Sequence, residues 1–552
     1  MAPTTRTCRL ALAAALASAA APALGSIPAV RSSAGTFVAA RAAATAGDAR
    51  RAALLYASLA AADPSNRIVA SRAIGQAILA GDSDLALRLI RAAPTADLAP
   101  DARLLWVADE LRSGRQGAAL ANGWPQELAF VAPFARAWTL AERRKWGAAL
   151  AELDGVKPDN LLAPAVPEQK ALILLAAGKS KDAQLFIPVA LHRAGGRANR
   201  LRIAFAAGLI RDGQREAGLA LLEGRDVTVA RAAASLAGQR RPELSIRTAA
   251  QGLGEVLTGL AAALSQGEQS ALPLALAQVA RHADPSSEQG AILLSLLLER
   301  GGRTDEALAL LRTLPAGSPF ASSAHDAEVR ALLRGEQRAA ALARAQAFVA
   351  EPRATADDWS RLGDVFDTLD RQGDAAGAYG KAAALVDAGG PGPDPWSVHL
   401  LRGAALEKAG RWPEARQALQ TAHKLAPDNP IVLNYLGYAR LERGEDLGPA
   451  EAMIAEAHRR APDDASIIDS LGWAQFKNGK LHEAIATLQR AAAAGPGDPE
   501  INEHLGDALY ASGRRFEARF AWQAALVTAE DKVRTRIEGK LVNGLPAASP
   551  AP

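Results

Sequence analysis

The chain has 552 residues, 49% of them apolar and 22% charged, and a formal net charge of +4. That length admits several globular domains or one long repeat array, and the near-balanced charge, with no Lys/Arg cluster interleaved with aromatics, argues against a nucleic-acid surface. Alanine and leucine dominate and no stretch alternates with period two for long, so the expected class is all-α.

Residues 1–25 read as an export signal. Arg6 and Arg9 supply positive charge, Leu10 to Leu24 form an apolar run, and Ala23-Leu24-Gly25 offers the small residues of a cleavage site, with Ala21-Pro22-Ala23 competing. The mature chain would begin near Ser26; the alternative is an alanine-rich first helix. Cys8, the only cysteine, precedes the apolar run, which is the wrong side for lipidation, so no lipid anchor is expected. Cleavage would leave no thiol for disulfides or thiolate metal sites. No later segment has the ~20 uninterrupted apolar residues that span a bilayer.

Residues 26–99 hold repeat-like units, one marked by Ala40, Gly47, Ala52, Tyr56 and Pro64, the next by Gly81, Ala86 and Ile90. Over 100–390 the pattern still reads as helical hairpins, as in Gly178 then Ala183, Gly213 then Ala217, Gly267 then Ala271, and Gly302 then Ala307, but the spacing drifts. Shortened helices or insertions explain such drift. Pro/Gly clusters at Leu314 to Pro319 and Gly389 to Pro395 mark loops, and the second separates this degenerate region from the regular repeats.

The span 391–528 is regular. Gly403, Gly437, Gly472 and Gly506 recur at spacings of 34, 35 and 34 residues. Ala415, Ala450, Ala484 and Ala518 keep step with them, as do Gly410, Gly444, Gly479 and Gly513, and Pro427, Pro462 and Pro496. The first glycines and the alanines let two helix backbones approach closely. The second glycines fall where the first helix must reverse through a left-handed position, and the prolines end the second helix. Units of this length bury their apolar faces only by stacking on neighbours. Glu530 to Lys540, within 529–552, reads as a polar helix capping the stack, and Pro546 to Pro552 as a disordered tail.

Catalytic patterns fail one by one. Gly252-Leu253-Gly254 has Leu257 where a dinucleotide fingerprint needs its third glycine, and no strand precedes it. Gly380-Lys381 lacks both the first glycine and the Ser/Thr of a phosphate loop, these places holding Ala375 and Ala382. His482-Glu483 has no second histidine four residues on from the first, and the eight histidines form no i, i+4 ligand pair. No cofactor or metal is expected.

The series Gly403, Leu406, Gly410, Ala415, Leu419, Ala422, Pro427 resembles the tetratricopeptide repeat (TPR) pattern, and Leu471-Gly472, Gly479, Ala484, Leu488, Ala491, Pro496 matches it again. Leu433 to Tyr438, Asp469 to Ala474, Glu503 to Ala508 and Gly513 to Arg519 are similar to a proteobacterial group of exported TPR proteins. Some of that group are outer-membrane lipoproteins serving as adaptors of carboxyl-terminal-processing proteases. The resemblance implies a right-handed all-α solenoid whose first helices line a concave face. It places Asn434, Tyr438 and Leu441, then Asp469, Trp473, Phe476 and Lys477, then Glu503, Asp507 and Tyr510 on that face, as an aromatic strip flanked by carboxylates; the alternative is that Trp473 and Phe476 pack between adjacent repeats. Trp and Tyr are enriched among residues that dominate binding energy. The carboxylates would meet basic groups or amides of a peptide and repel a free C-terminal carboxylate. Trp522 is expected to be structural.

The function expected is a non-enzymatic periplasmic adaptor or scaffold holding a protein or peptide partner, by resemblance a cell-envelope protease and its substrates or an envelope-assembly complex. The alternatives are an enzyme, a glycosyltransferase or protease, hidden within 100–355, and a cytoplasmic TPR scaffold.

Overall fold

A computed structural model describes residues 33–94, 98–115, 124, 126–267 and 270–545. The expected export signal, Cys8 and the tail from Pro546 lie outside them. Every regular element among the described residues is an α-helix or a short 3-10 turn, and the fold is an all-α TPR solenoid. Within 100–355 the described residues form no strand. No described helix is long and apolar enough to cross a membrane.

One turn recurs along the chain. Two residues before a second helix the backbone turns left-handed, at Gly47, Gly81, Gly178, Gly213, Gly302, Gly410, Gly479 and Gly513, with φ between 72° and 84°. A glycine has no Cβ to clash there. Arg144, Glu336 and Asp370 occupy the same place with φ of 57°, 56° and 60°. Five residues further on stands an alanine with no exposed surface: Ala52, Ala86, Ala149, Ala183, Ala307, Ala341, Ala375, Ala415, Ala484 and Ala518. After Gly213 that place belongs to Gly218, not to Ala217. A Cβ on Gly218 would lie 2.7 Å from the Ile210 side chain and 2.9 Å from the Ala206 carbonyl. Ala271 is likewise not a packing residue but an exposed N-cap. The 35-residue spacing is absorbed in a turn: Gly444 (φ 66°) is followed by Glu445 and by a second left-handed residue, Asp446 (φ 48°), and Ala450 lands fully buried.

By packing, the chain divides into two units. One comprises Met1–Arg143, Asn160–Leu162 and Thr248–Ser286; the other comprises Arg144–Asp159, Ala163–Arg247 and Ser287–Pro552. In the first, the pair Ala249–Leu264 and Leu272–Ala283 packs on the earlier helices Arg67–Ala80, Pro100–Arg112 and Ala132–Glu142. Stacking therefore departs from chain order here, against the continuous array that the repeats suggested. Glycine makes the contact possible, because a Cβ on Gly252 would sit 2.2 Å from the Trp138 ring and one on Gly254 3.1 Å from Asp284 Cβ. The Gly252-Leu253-Gly254 string serves helix packing.

In the second unit the early hairpins have short second helices, Ser180–Ala183 and Arg215–Ala220, and this is the source of the drifting period. Regular hairpin geometry begins upstream of residue 391, at Ala356–Thr368 and Gln372–Asp387, where Gly363 meets the Tyr379 ring as Gly403 meets Leu419. The loop after them is pinned rather than a free linker: the Gly392 N–H donates to the Arg225 carbonyl at 2.6 Å. One buried core continues from Leu308 and Val329 through Phe348 and Tyr379 to Leu406 and Ala418. A chain whose units bury their faces only against one another produces a core of this kind.

Candidate partner-binding surface

The first helices Pro430–Glu442, Ala465–Lys477 and Pro499–Ala511 start alike. Asn429, Asp464 and Asp498 each accept from the second and third backbone N–H groups, and Pro430 and Pro499 occupy first positions where no N–H is needed. Each helix then presses a glycine on its partner helix. A Cβ on Gly437 would approach Ile454 to 2.8 Å, on Gly472 Leu488 to 2.6 Å, and on Gly506 the Trp522 ring to 2.3 Å. Successive first helices are thereby held side by side, and the ten residues expected on the concave face lie along them.

The structure brings Trp473 against the neighbouring first helix. Its ring stacks on His504 at 4.1 Å and on Phe476 at 5.0 Å, its indole N–H donates to Glu442 at 2.7 Å, and only 9% of its surface is exposed. Lys477 lies 5.0 Å over the same ring and 3.6 Å from Glu442. His504 Nδ1 is 2.9 Å from Asp469 Oδ2. Burial works against a charged imidazole, but the hydrogen bond and charge of Asp469 outweigh it and hold the His504 pKa above its ordinary value.

Glu503 and Asp507 are covered by the last helix, Asp531–Asn543. Arg536 grips Glu503 with two hydrogen bonds of 2.8 and 2.6 Å, and Lys540 reaches both Glu503 and Asp507 at 2.6 Å. The Trp522 indole donates to Asp507 at 2.9 Å. Burial alone would raise the Glu503 pKa; the hydrogen bonds of Arg536 and Lys540 reverse that and lower it. For Asp507 burial prevails and the pKa is raised despite Lys540. Leu441 is buried in the core with Ile454 and Leu471. The Tyr438 hydroxyl donates to Glu500 at 3.2 Å, joining first helices two repeats apart, and burial pushes its pKa up. Asn434 and Tyr510 are half-buried, Tyr510 tilted against Trp522.

This arrangement corrects the expected groove wall. Trp473, Leu441 and Asp469 form seams between first helices, and Glu503 and Asp507 a seam with the last helix, because positions about one repeat apart face each other when the helices lie side by side. The three carboxylates are paired internally and are not presented to a partner. What stays accessible is Lys477, with the half-buried Phe476, Tyr438, Tyr510 and Asn434 beside it. Sequence reasoning missed His504, Glu442, Arg536 and Lys540. A signal for them existed: the contacts Trp473–Glu442, Asp469–His504, Glu503–Arg536 and Glu503–Lys540 span 31, 35, 33 and 37 residues, about one repeat each.

Two family models match this region, each described as a tetratricopeptide repeat, one over residues 396–429 and one over 470–532. The chain carries tetratricopeptide repeats. Among solved structures, the APC/C hetero-tetramer Cut9–Hcn1 is similar at 16% identity and a TM-score of 0.38, over 93% of this chain and 96% of that one. A TPR protein from Parabacteroides merdae is similar at 15% identity and TM-score 0.38, over 46% and 96%. MamA from Desulfovibrio magneticus is similar at 17% identity and TM-score 0.27, over 31% and 94%. No curated protein matches the chain. The repeats point to a protein–protein interaction scaffold.

Proposed function

We propose that the protein is exported to the periplasm and acts there as a non-enzymatic adaptor, holding a partner protein or peptide along its C-terminal first helices. A cell-envelope protease with its substrates is the partner class that the sequence resemblance suggests. Residues 1–25, with Arg6, Arg9 and the run from Leu10 to Leu24, support export. The observation that carries the binding reading is the half-exposed edge of Tyr438, Phe476 and Tyr510 beside exposed Lys477, on helices already ordered by their own seams. A preformed surface loses little conformational entropy on binding, so aromatic contacts there convert efficiently into affinity.

The test is crosslinking mass spectrometry in intact cells with wild type, Phe476→Ala and Lys477→Glu, alongside a fusion of residues 1–35 to a reporter active only outside the cytoplasm. Both variants are expected to fold and to lose the wild-type crosslinks. An active reporter with partner recovery unchanged in both variants would overturn the binding surface; an inactive reporter would overturn export.

A further inference from the structure

A second polar site lies in the N-terminal unit, far in sequence from the C-terminal repeats. One face of Ser83–Ala92 and the C-terminal ends of Pro100–Arg112 and Leu272–Ala283 border an open cleft of about 430 Å³, lined by Asp84, Leu87, Arg88, Arg91, Asp109, Arg112, Ser113 and His282, with the three arginines exposed to solvent. Clefts of this size suit a small molecule or a single inserted side chain. With Leu87 the one apolar lining residue among those described, the walls favour a charged ligand.

The sign of that charge follows from the pairing. Asp109 is already engaged by Arg91 at 3.1 Å, by Arg115 at 3.4 Å and by His282 Nε2 at 3.3 Å. Arg112 is aimed by its hydrogen bond to the His282 carbonyl at 2.9 Å. Among the described residues the Arg88 side chain makes no hydrogen bond and no ion pair. Among the described lining residues three guanidinia therefore face two carboxylates, Asp84 and Asp109, and Asp109 is saturated. Arginines in a last helical turn also complement the helix dipole, which accounts for Arg91 and Arg112 by themselves. It does not account for their convergence with Arg88 on one cavity. The planar guanidinium fork matches carboxylate and phosphate oxygens.

We propose that this cleft binds an oxyanion, the carboxylate or phosphate group of a ligand, between the guanidinia of Arg88, Arg91 and Arg112, with the Ser113 hydroxyl as a further donor. Burial and the neighbouring Arg112 hold the His282 pKa below its ordinary value despite Asp109, so the ring enters as a neutral group that an arriving anion would push towards protonation.

The test uses the purified full chain, titrated at constant ionic strength with inorganic phosphate, citrate or a short oligoglutamate peptide. Binding is read from the His282 ring resonances by NMR and from thermal shift. Saturable binding with a rise in the His282 pKa is expected. Arg88→Ala, which breaks no side-chain hydrogen bond or ion pair among the described residues, should weaken it by at least about tenfold with the unliganded melting temperature unchanged. Arg91→Gln is the second variant and should also weaken it. Binding of phosphate or citrate identifies a free small anion. Binding of the peptide alone identifies the same chemistry carried by an acidic partner, and both outcomes support the site. No saturable response to any probe at millimolar concentration, or equal affinity in wild type and Arg88→Ala, overturns it.

Discussion

The same substitution at two glycines of the C-terminal cap should move stability in opposite directions. Gly506 lies in Pro499–Ala511, where an added Cβ would stand 2.3 Å from Trp522 Cδ1 and 2.4 Å from its Nε1. The indole is rigid and fully buried, so it must turn, and turning it breaks the 2.9 Å hydrogen bond to Asp507. Overpacking costs about 1–3 kcal/mol, loss of a hydrogen bond to a charged group about 1.5–3 kcal/mol, and the gain in helix propensity returns about 1 kcal/mol, leaving a net loss of ~3 kcal/mol for Gly506→Ala. Gly539, in Asp531–Asn543, has nothing within 4 Å of the added atom, so Gly539→Ala should gain up to about 1 kcal/mol. In a repeat array the end unit opens locally, so the quantity to measure is the hydrogen-exchange protection of amides 499–543, with urea unfolding as a check. Gly506→Ala with wild-type protection, or Gly539→Ala as damaging as Gly506→Ala, would refute the claim that a glycine sets the approach of the two helices.

Other consequences are testable in the same way. The raised pKa of His504 means that its pairing with Asp469 contributes stability fully below about pH 6.5 and loses it as pH rises through the raised value. Protection of the last two hairpins should therefore fall as pH rises from about 6.5 through the raised value, and Asp469→Asn should flatten that dependence. Asp358 behaves oppositely: burial would raise its pKa, but His325, the Thr355 capping bonds and Arg361 lower it to about 2. Its contribution, about 2 kcal/mol, should be present above about pH 4 and vanish as pH falls through about 2, and acid unfolding of Asp358→Asn should lack that step. Glu336→Gly and Asp370→Gly remove a Cβ from left-handed turns at φ of 56° and 60°, and each should raise the urea midpoint by an amount equivalent to about 0.5–1 kcal/mol.

Those turns also explain what could be read in advance. The C-terminal hairpins were legible because glycine stands in both special places, the helix crossing and the left-handed turn, and the period survives. The hairpin spanning 356–387 keeps its crossing glycine, Gly363, but carries Asp370 in the turn and a long loop after it, so neither marker repeats at the expected distance. At Arg144 and Glu336 the turn glycine is replaced as well, and only the buried alanine five residues later, Ala149 or Ala341, preserves the pattern. Backbone geometry is therefore more constant along this chain than the residues that adopt it, because stacking of neighbours can compensate a turn penalty of about 1–2 kcal/mol. The candidate surface was harder to read for a different reason. Facing a groove and facing the next repeat are neighbouring directions on one helix, and composition does not separate them. Charge complementarity one period apart does: Glu299–Arg334, Asp326–Arg361 and Glu407–Arg443 pair across 35, 35 and 36 residues, as Asp469 and His504 do across 35. A polar residue with an opposite partner about one repeat away belongs to a seam, and exposed Lys477, 3.6 Å from Glu442 across 35 residues, sits at the open edge of one. By that criterion Glu503, with Arg536 and Lys540 downstream, was a seam residue in the sequence itself, whereas Phe476 and Tyr510 have no such partner, and the proposed binding role rests on them.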